Sequence, residues 1–212
     1  MNYRAVIFDL GGVVFPSPFE AFDAYDHGND LKKGTMRALI RRSSETGAWS
    51  RLERGELTMD EFVLALEAEA LDAGFVLDAR KLMGLIGSSL GPRPEMARAI
   101  KRLRAHGLLT AALTNNWADE KQRSSPNGIT EFDLFDVIVE SAVEGLRKPD
   151  PRIYALALAR LDVLASEAVF LDDLGMNLKP ARVMGMTTIK VVDPVAALAD
   201  LGAVLGLDLE GC

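Results

Sequence analysis

The stretch Ala5-Val6-Ile7-Phe8-Asp9-Leu10-Gly11-Gly12-Val13 decides the fold. Its four apolar residues form a short run of the kind that fills the middle of a sheet, and a carboxylate ends it. A charge at the tip of a buried strand is costly unless it is paired or has chemistry to perform. The Leu-Gly-Gly turn then carries the chain off that strand end. Outward from here, Arg4 to Asp9, Leu109 to Thr114, Asp136 to Glu140, Ala168 to Asp172 and Thr187 to Val192 read as five buried strands. Helical patterns lie between them, including Pro94 to His106 and Pro151 to Leu161, the latter with Asp150 as N-cap and Pro151 at the first helical position. This alternation predicts an α/β fold with a doubly wound parallel sheet.

Residues 16–91 break the alternation, because they hold no strand pattern between the first strand and the second. They read as an inserted helical cap, with residues 1–15 and 92–212 forming the core. Ser17-Pro18-Phe19-Glu20 and Thr58-Met59-Asp60-Glu61 both fit a capping box, and Phe62, Val63, Leu66 and Ala70 then keep helical spacing. Lys32-Lys33 and Arg41-Arg42 read as solvated helix faces, and Lys121, Arg123 and Ser124 to Gly128 as a surface loop.

The chain has 212 residues and a formal charge of −7, which disfavours a broad nucleic-acid footprint, so a phosphate must be captured locally. Its single cysteine, Cys212, allows no intramolecular disulfide and favours a reducing compartment, with the cytoplasm as default. No apolar stretch is long enough to span a membrane, and neither an anchor nor a signal peptide is visible. An apolar cap helix can bury itself internally or against a second copy, which leaves a homodimer open.

Ligands of a parallel sheet bind beyond the carboxyl ends of its strands. That rule gathers Asp9, Thr114-Asn115-Asn116, Lys148 and Asp172-Asp173 from distant parts of the chain. Carboxylates crowded at one point repel unless a cation joins them, and an oxygen set of this kind suits Mg²⁺. Thr114 and Asn115 offer a hydroxyl and an amide to phosphoryl oxygens, and Lys148 offers positive charge to the transition state.

With these pieces in order, the chain resembles the haloacid dehalogenase superfamily over nearly its whole length. Asp9 to Val13 is similar to the first motif of that family, Leu113-Thr114-Asn115 to the second, Lys148 to the third, and Leu171-Asp172-Asp173 with Asn177 to the fourth. Leu113 to Trp117, Gly145 to Tyr154 and Phe170 to Arg182 resemble the branch found as phosphatase-like domains at the N-terminus of soluble epoxide hydrolases and of acyl-CoA dehydrogenase fusion proteins. The resemblance implies a phosphatase acting on a small organic phosphate through an aspartyl-phosphate on Asp9. It implies Mg²⁺ held by Asp9, the Gly11 carbonyl and Asp173, with Asp172 and Asn177 one shell out, and phosphate held by Thr114, Asn115 and Lys148.

Phosphatases of the family usually carry an aspartate, the proton donor, where this chain has Gly11. Glycine keeps the carbonyl and loses the acid. Dehalogenases of the superfamily also lack that aspartate, because halide leaves unprotonated, but Asp172-Asp173 argues against carbon-centred displacement. A phosphate-binding module without turnover is the other reading. His27 is the one nameable substitute donor, while His106 reads as a helix end, and Trp49 and Trp117 as packing or pocket residues.

Overall fold

The structure is a computed structural model that describes residues 2–42, 45–88, 91–117 and 131–209, with Glu131 and Phe132 described by backbone only. Lys121, Arg123, the Ser124 to Gly128 stretch and Cys212 lie outside the described residues.

Five strands, β1 (Ala5–Phe8), β2 (Leu109–Thr114), β3 (Val137–Glu140), β4 (Ala168–Asp172) and β5 (Thr187–Lys190), form one sheet in the order β3-β2-β1-β4-β5. All pairs are parallel, and β1 sits at the centre, with Ala5 opposite Leu109 on one side and Ala168 on the other. Both faces are covered. Val6 and Phe8 turn toward one layer, which contains Met96, Ile100, Leu198 and Leu201, while Ala5 and Ile7 turn toward another with Ile153, Ala157, Leu158 and Ala181. A period of two thus splits one continuous apolar run between two helical layers, which is why these strands show no polar alternation.

After β1, and before the helix that leads into β2, come α1 (Pro18–Gly28), α2 (Thr35–Arg42), α3 (Ala48–Glu53), α4 (Met59–Asp72) and α5 (Ala79–Gly87). They bury a separate cluster that includes Phe22, Trp49, Phe62 and Leu66. Phe22 and Phe62 meet Trp49 edge-on at centroid distances of 5.2 and 5.8 Å. The remaining helices belong to the sheet layers: α6 (Pro94–Ala105), the four-residue α7 (Ser141–Glu144), α8 (Pro151–Leu161), α9 (Gly175–Val183) and α10 (Pro194–Leu205).

Local signals work as physics requires in most places. Thr58 and Glu61 close a full capping box on α4, Asp150 caps α8, and His106 is the C-cap of α6. Ser17 differs from expectation. Its hydroxyl caps the helix by accepting from the Phe19 N–H at 3.3 Å, while the Glu20 carboxylate lies 3.7 Å from the Arg93 guanidinium, so a simple N-cap forms in place of the box. Lys32 and Lys33 precede α2 in a turn and are not on a helix face.

Candidate active site

Asp9 follows β1, Asn115 follows β2, and Asp172 ends β4, so the three neighbouring central strands deliver their polar residues to one rim. Strand order reverses direction at β1, which is where such sheets place a crevice. Lys148 enters from the loop between α7 and α8 and is fully buried. Its Nζ lies 2.8 Å from Asp9 Oδ1 and 2.8 Å from Asp172 Oδ2, with the Phe170 ring beneath it at 5.6 Å.

Each carboxylate of the cluster has a different degree of commitment. Asp172, wholly buried, accepts from Lys148, from the Leu174 N–H at 2.8 Å and from Asn177 Nδ2 at 3.1 Å on both oxygens. Asp9 receives the Leu10 N–H at 2.7 Å and Lys148 on the same oxygen, Oδ1. Asp173 is half-buried and stands against the backbone of Gly12, whose φ is +85°. A β-carbon on Gly12 would run into the Asp173 carboxylate, so the turn after β1 needs glycine for contact as well as for conformation.

One oxygen from each of Asp9, Asp172 and Asp173 can be chosen so that all lie within 4.8 Å of one another. One lysine cannot balance three carboxylates, and the pKa values of Asp9 and Asp173 are both raised. Burial pushes Asp9 up to about 8 despite the pull of Lys148, with Asp172 and Asp173 adding to the rise. Burial and the Asp172 charge raise Asp173 to about 6. Lys148 is held above the ordinary lysine range, since Asp172 and Asp9 more than offset the burial that would lower it. A set of hard oxygen donors with excess negative charge is a fit for a small divalent cation.

The other expected residues are placed unevenly. Gly11, Asn115 and Asn177 line the same cavity as Asp9, Lys148 and Asp173. Thr114 is buried at the end of β2, in register with Glu140, and is not among the residues lining the cavity. Asn115 braces Lys148: it accepts the Lys148 N–H at 2.8 Å and donates to the Lys148 carbonyl at 3.1 Å. Asn177 does not cap α9, whose N-cap is Leu174, and its amide goes to Asp172 instead. His27 is exposed in the last turn of α1 and does not line the cavity.

The cavity measures about 580 Å³, and its far wall comes from the helical insert: Phe19, Phe22, Ile40, Arg41 and Trp49. Trp117 joins from the core side, edge-on to Trp49 at 5.9 Å. Arg41 is exposed, as expected of a solvated face, and it also lines the cavity, because α2 docks on α1 with its last turn beside the site. Sequence reading also missed Glu53, which is buried in the wall and takes Arg147 Nη2 at 2.6 Å and Trp49 Nε1 at 2.9 Å. No local pattern marks a pair whose members are 94 positions apart.

Known proteins agree with this geometry. Residues 3–185 match the family model for haloacid dehalogenase-like hydrolases, and the chain belongs to that family. It is 41% identical to mouse acyl-CoA dehydrogenase family member 10 over 99% of its own length and 20% of that protein's. It is 33% identical to pig bifunctional epoxide hydrolase 2 over 99% of its own length and 40% of the relative's, so the chain spans less than half of either. It is 31% identical to sesquiterpene phosphatase astK of Aspergillus oryzae, covering 97% of this chain and 98% of that one. A haloacid dehalogenase family enzyme of Bacteroides thetaiotaomicron, solved with magnesium and inorganic phosphate, shares the fold at a TM-score of 0.63 and 20% identity, over 89% and 94% of the two chains. The chain is a hydrolase with named phosphatases among its relatives.

Proposed function

We propose that this hydrolase is a Mg²⁺-dependent phosphatase that cleaves a small, partly apolar organic phosphate through an aspartyl-phosphate on Asp9. The observation that carries the reading is the buried Asp9–Lys148–Asp172 chain, with Asp173 beside it, at the floor of a cavity with aromatic walls. In this reading residues 1–15 and 92–212 are the catalytic core and residues 16–91 the cap that chooses the substrate. Asp9 and Asp173, with the Gly11 carbonyl, would hold the ion, since Asp172 already spends its oxygens on Lys148, Leu174 and Asn177. When bound, Mg²⁺ supplies charge neutralisation for the carboxylates and the phosphoryl oxygens.

The protein's own groups carry the steps. Lys148, fixed by Asp172, holds Asp9 Oδ1 in place and offers positive charge to the phosphoryl group. An Asp9 oxygen attacks phosphorus and the bond to the leaving oxygen breaks; water then cleaves the acyl phosphate and returns the carboxylate. Asn115, just after β2, shapes the phosphate end of the site by fixing the Lys148 backbone, while Thr114 supports it from the buried strand end. Asn177 keeps Asp172 oriented.

Gly11 removes the usual proton donor, and among the described residues no histidine lines the cavity to replace it. A positioned acid contributes about 10²–10⁴-fold, against overall accelerations that reach ~10²¹-fold for phosphate monoesters. The remaining machinery is ample for catalysis, with a bias toward leaving groups that need little protonation, such as acyl or anomeric phosphates.

The apolar wall supports a partly apolar substrate, and the sesquiterpene phosphatase among the relatives supports it further. A small-molecule substrate met in the cytoplasm fits the single cysteine and the net charge of −7. Among the described residues no helix is long and apolar enough to cross a membrane. The decisive experiment is a metal-dependent screen over a broad phosphate panel beside Asp9→Asn and Asp173→Ala. Turnover lost in both variants supports the reading; a wild type that binds phosphate and hydrolyses nothing makes the chain a binding module instead.

A further inference from the structure

We propose that Glu53 is a positioning residue for Lys148, so that the helical insert, and not the sheet alone, sets where that lysine stands. The proposal rests on the phosphatase reading for its kinetic arm only. Lys148 is fixed at its head by Asp9 and Asp172 and along its backbone by Asn115. The residue before it, Arg147, leaves the core and reaches the end of α3, where Glu53 Oε2 receives its Nε at 2.8 Å and its Nη2 at 2.6 Å. Oε1 of the same carboxylate receives Trp49 Nε1 at 2.9 Å. Three N–H groups on one buried carboxylate fix its direction, and charge-assisted bonds of this kind resist displacement.

A second contact seats the same end of α3. Gly55, at φ +67°, lies against the carbonyl of Ala142 in α7, where a β-carbon would collide. The segment carrying Arg147 and Lys148 follows directly from α7, so the end of α3 and the turn after it meet this stretch of chain at Ala142 and again at Arg147. The Arg147 guanidinium is partly shielded and the Glu53 carboxylate is buried, which sets this pair apart from the exposed Arg80–Asp60 pair of the insert surface. Because adjacent residues share a peptide unit, a shift of Arg147 moves Lys148. Trp49 ties that linkage to the cavity: a substrate seated on the indole presses on the carboxylate that holds Arg147.

The test uses Glu53→Gln in the full chain, which keeps the acceptor for Trp49 and the side-chain volume and removes the charge. Arg147→Gln probes the same link from the other side if the first variant folds poorly. With p-nitrophenyl phosphate, kcat should fall by about 10- to 100-fold, the scale of a small misplacement, while KM stays within about threefold. Combined with Asn115→Ala, the loss should be smaller than the product of the single losses, because both residues pin one loop. A raised KM with unchanged kcat, or strictly multiplicative losses, would overturn the proposal. If the wild type hydrolyses nothing, the phosphatase reading falls, and titration with inorganic phosphate and Mg²⁺ decides the positioning claim. Binding about tenfold weaker in Glu53→Gln upholds it, and equal binding refutes it. A wild type that neither turns over nor binds phosphate leaves Lys148 nothing to be positioned for, which also refutes it.

Discussion

On the floor of the cavity, three carboxylates at strand ends gather around Lys148, which reaches Asp9 and Asp172 at 2.8 Å each, with Asp173 close beside them. On the opposite wall, the insert offers Phe19, Phe22, Ile40 and Trp49, held by edge-on ring contacts that tolerate slippage. The floor is directional and electrostatic; the wall is apolar and works by area and shape. Under the proposed function, the chemistry sits on strand ends, while recognition is delegated to packed helices. A fold built this way can change substrate without touching the reacting groups.

The largest test of that division is Gly11→Asp, a change to the floor alone. Gly11 does not lie in the left-handed region, and a β-carbon there would meet only the Pro18 ring, at 3.4 Å and beyond, so the backbone tolerates the substitution. Alkyl phosphate turnover should rise by about 10²- to 10⁴-fold, with a shallower dependence on leaving-group pKa. Equal Brønsted slopes across a series of aryl phosphates would break the account of what Gly11 lacks.

Phe22→Ala is the matching change to the wall. The ring is buried and touches Phe19 and Trp49, so unfolding free energy in urea should drop by about 3–5 kcal/mol. In the folded protein, KM for an apolar phosphate should rise while inorganic phosphate binds as before. Weakened inorganic phosphate binding would show that floor and wall are one unit.

A smaller effect concerns charge. Asp9 and Asp173, at about 8 and about 6, lie above the ordinary carboxylate range, so their unfolded forms lose protons first. Without a cation, the stability they contribute is present at acid pH and drains away as pH rises from about 4 toward 8. Mg²⁺ should restore it, raising Tm by about 5–10 °C at pH 8 when present at a hundredfold excess over its Kd, and hardly at all at pH 5. A shift independent of pH would place the ion elsewhere.

The same division decides what could be read from the chain. Each strand lies within two residues of its expected bounds because short apolar runs leave few alternatives, and the sheet rule then brings Asp9, Lys148 and Asp173 to one rim. What escaped was set by docking. Arg41 lines the cavity only because of how α2 lies on α1, Asn115 turns to the Lys148 backbone only because that loop arrives beside it, and Glu53 meets Arg147 across two separately packed layers. Thr114 ends the expected strand but is buried and is not among the residues lining the cavity, whereas its neighbour Asn115 is.

The central position of β1 bears on how the protein is born. Its residues leave the ribosome early, yet its two neighbours in the sheet begin at Leu109 and Ala168, with the whole insert emerging before either. Helical segments can pack on themselves as they appear, whereas parallel pairing over such separations is slow. The nascent chain therefore carries Asp9 without its sheet neighbours until the insert and β2 have emerged, and the carboxylate cluster comes into being only when β4 closes on β1.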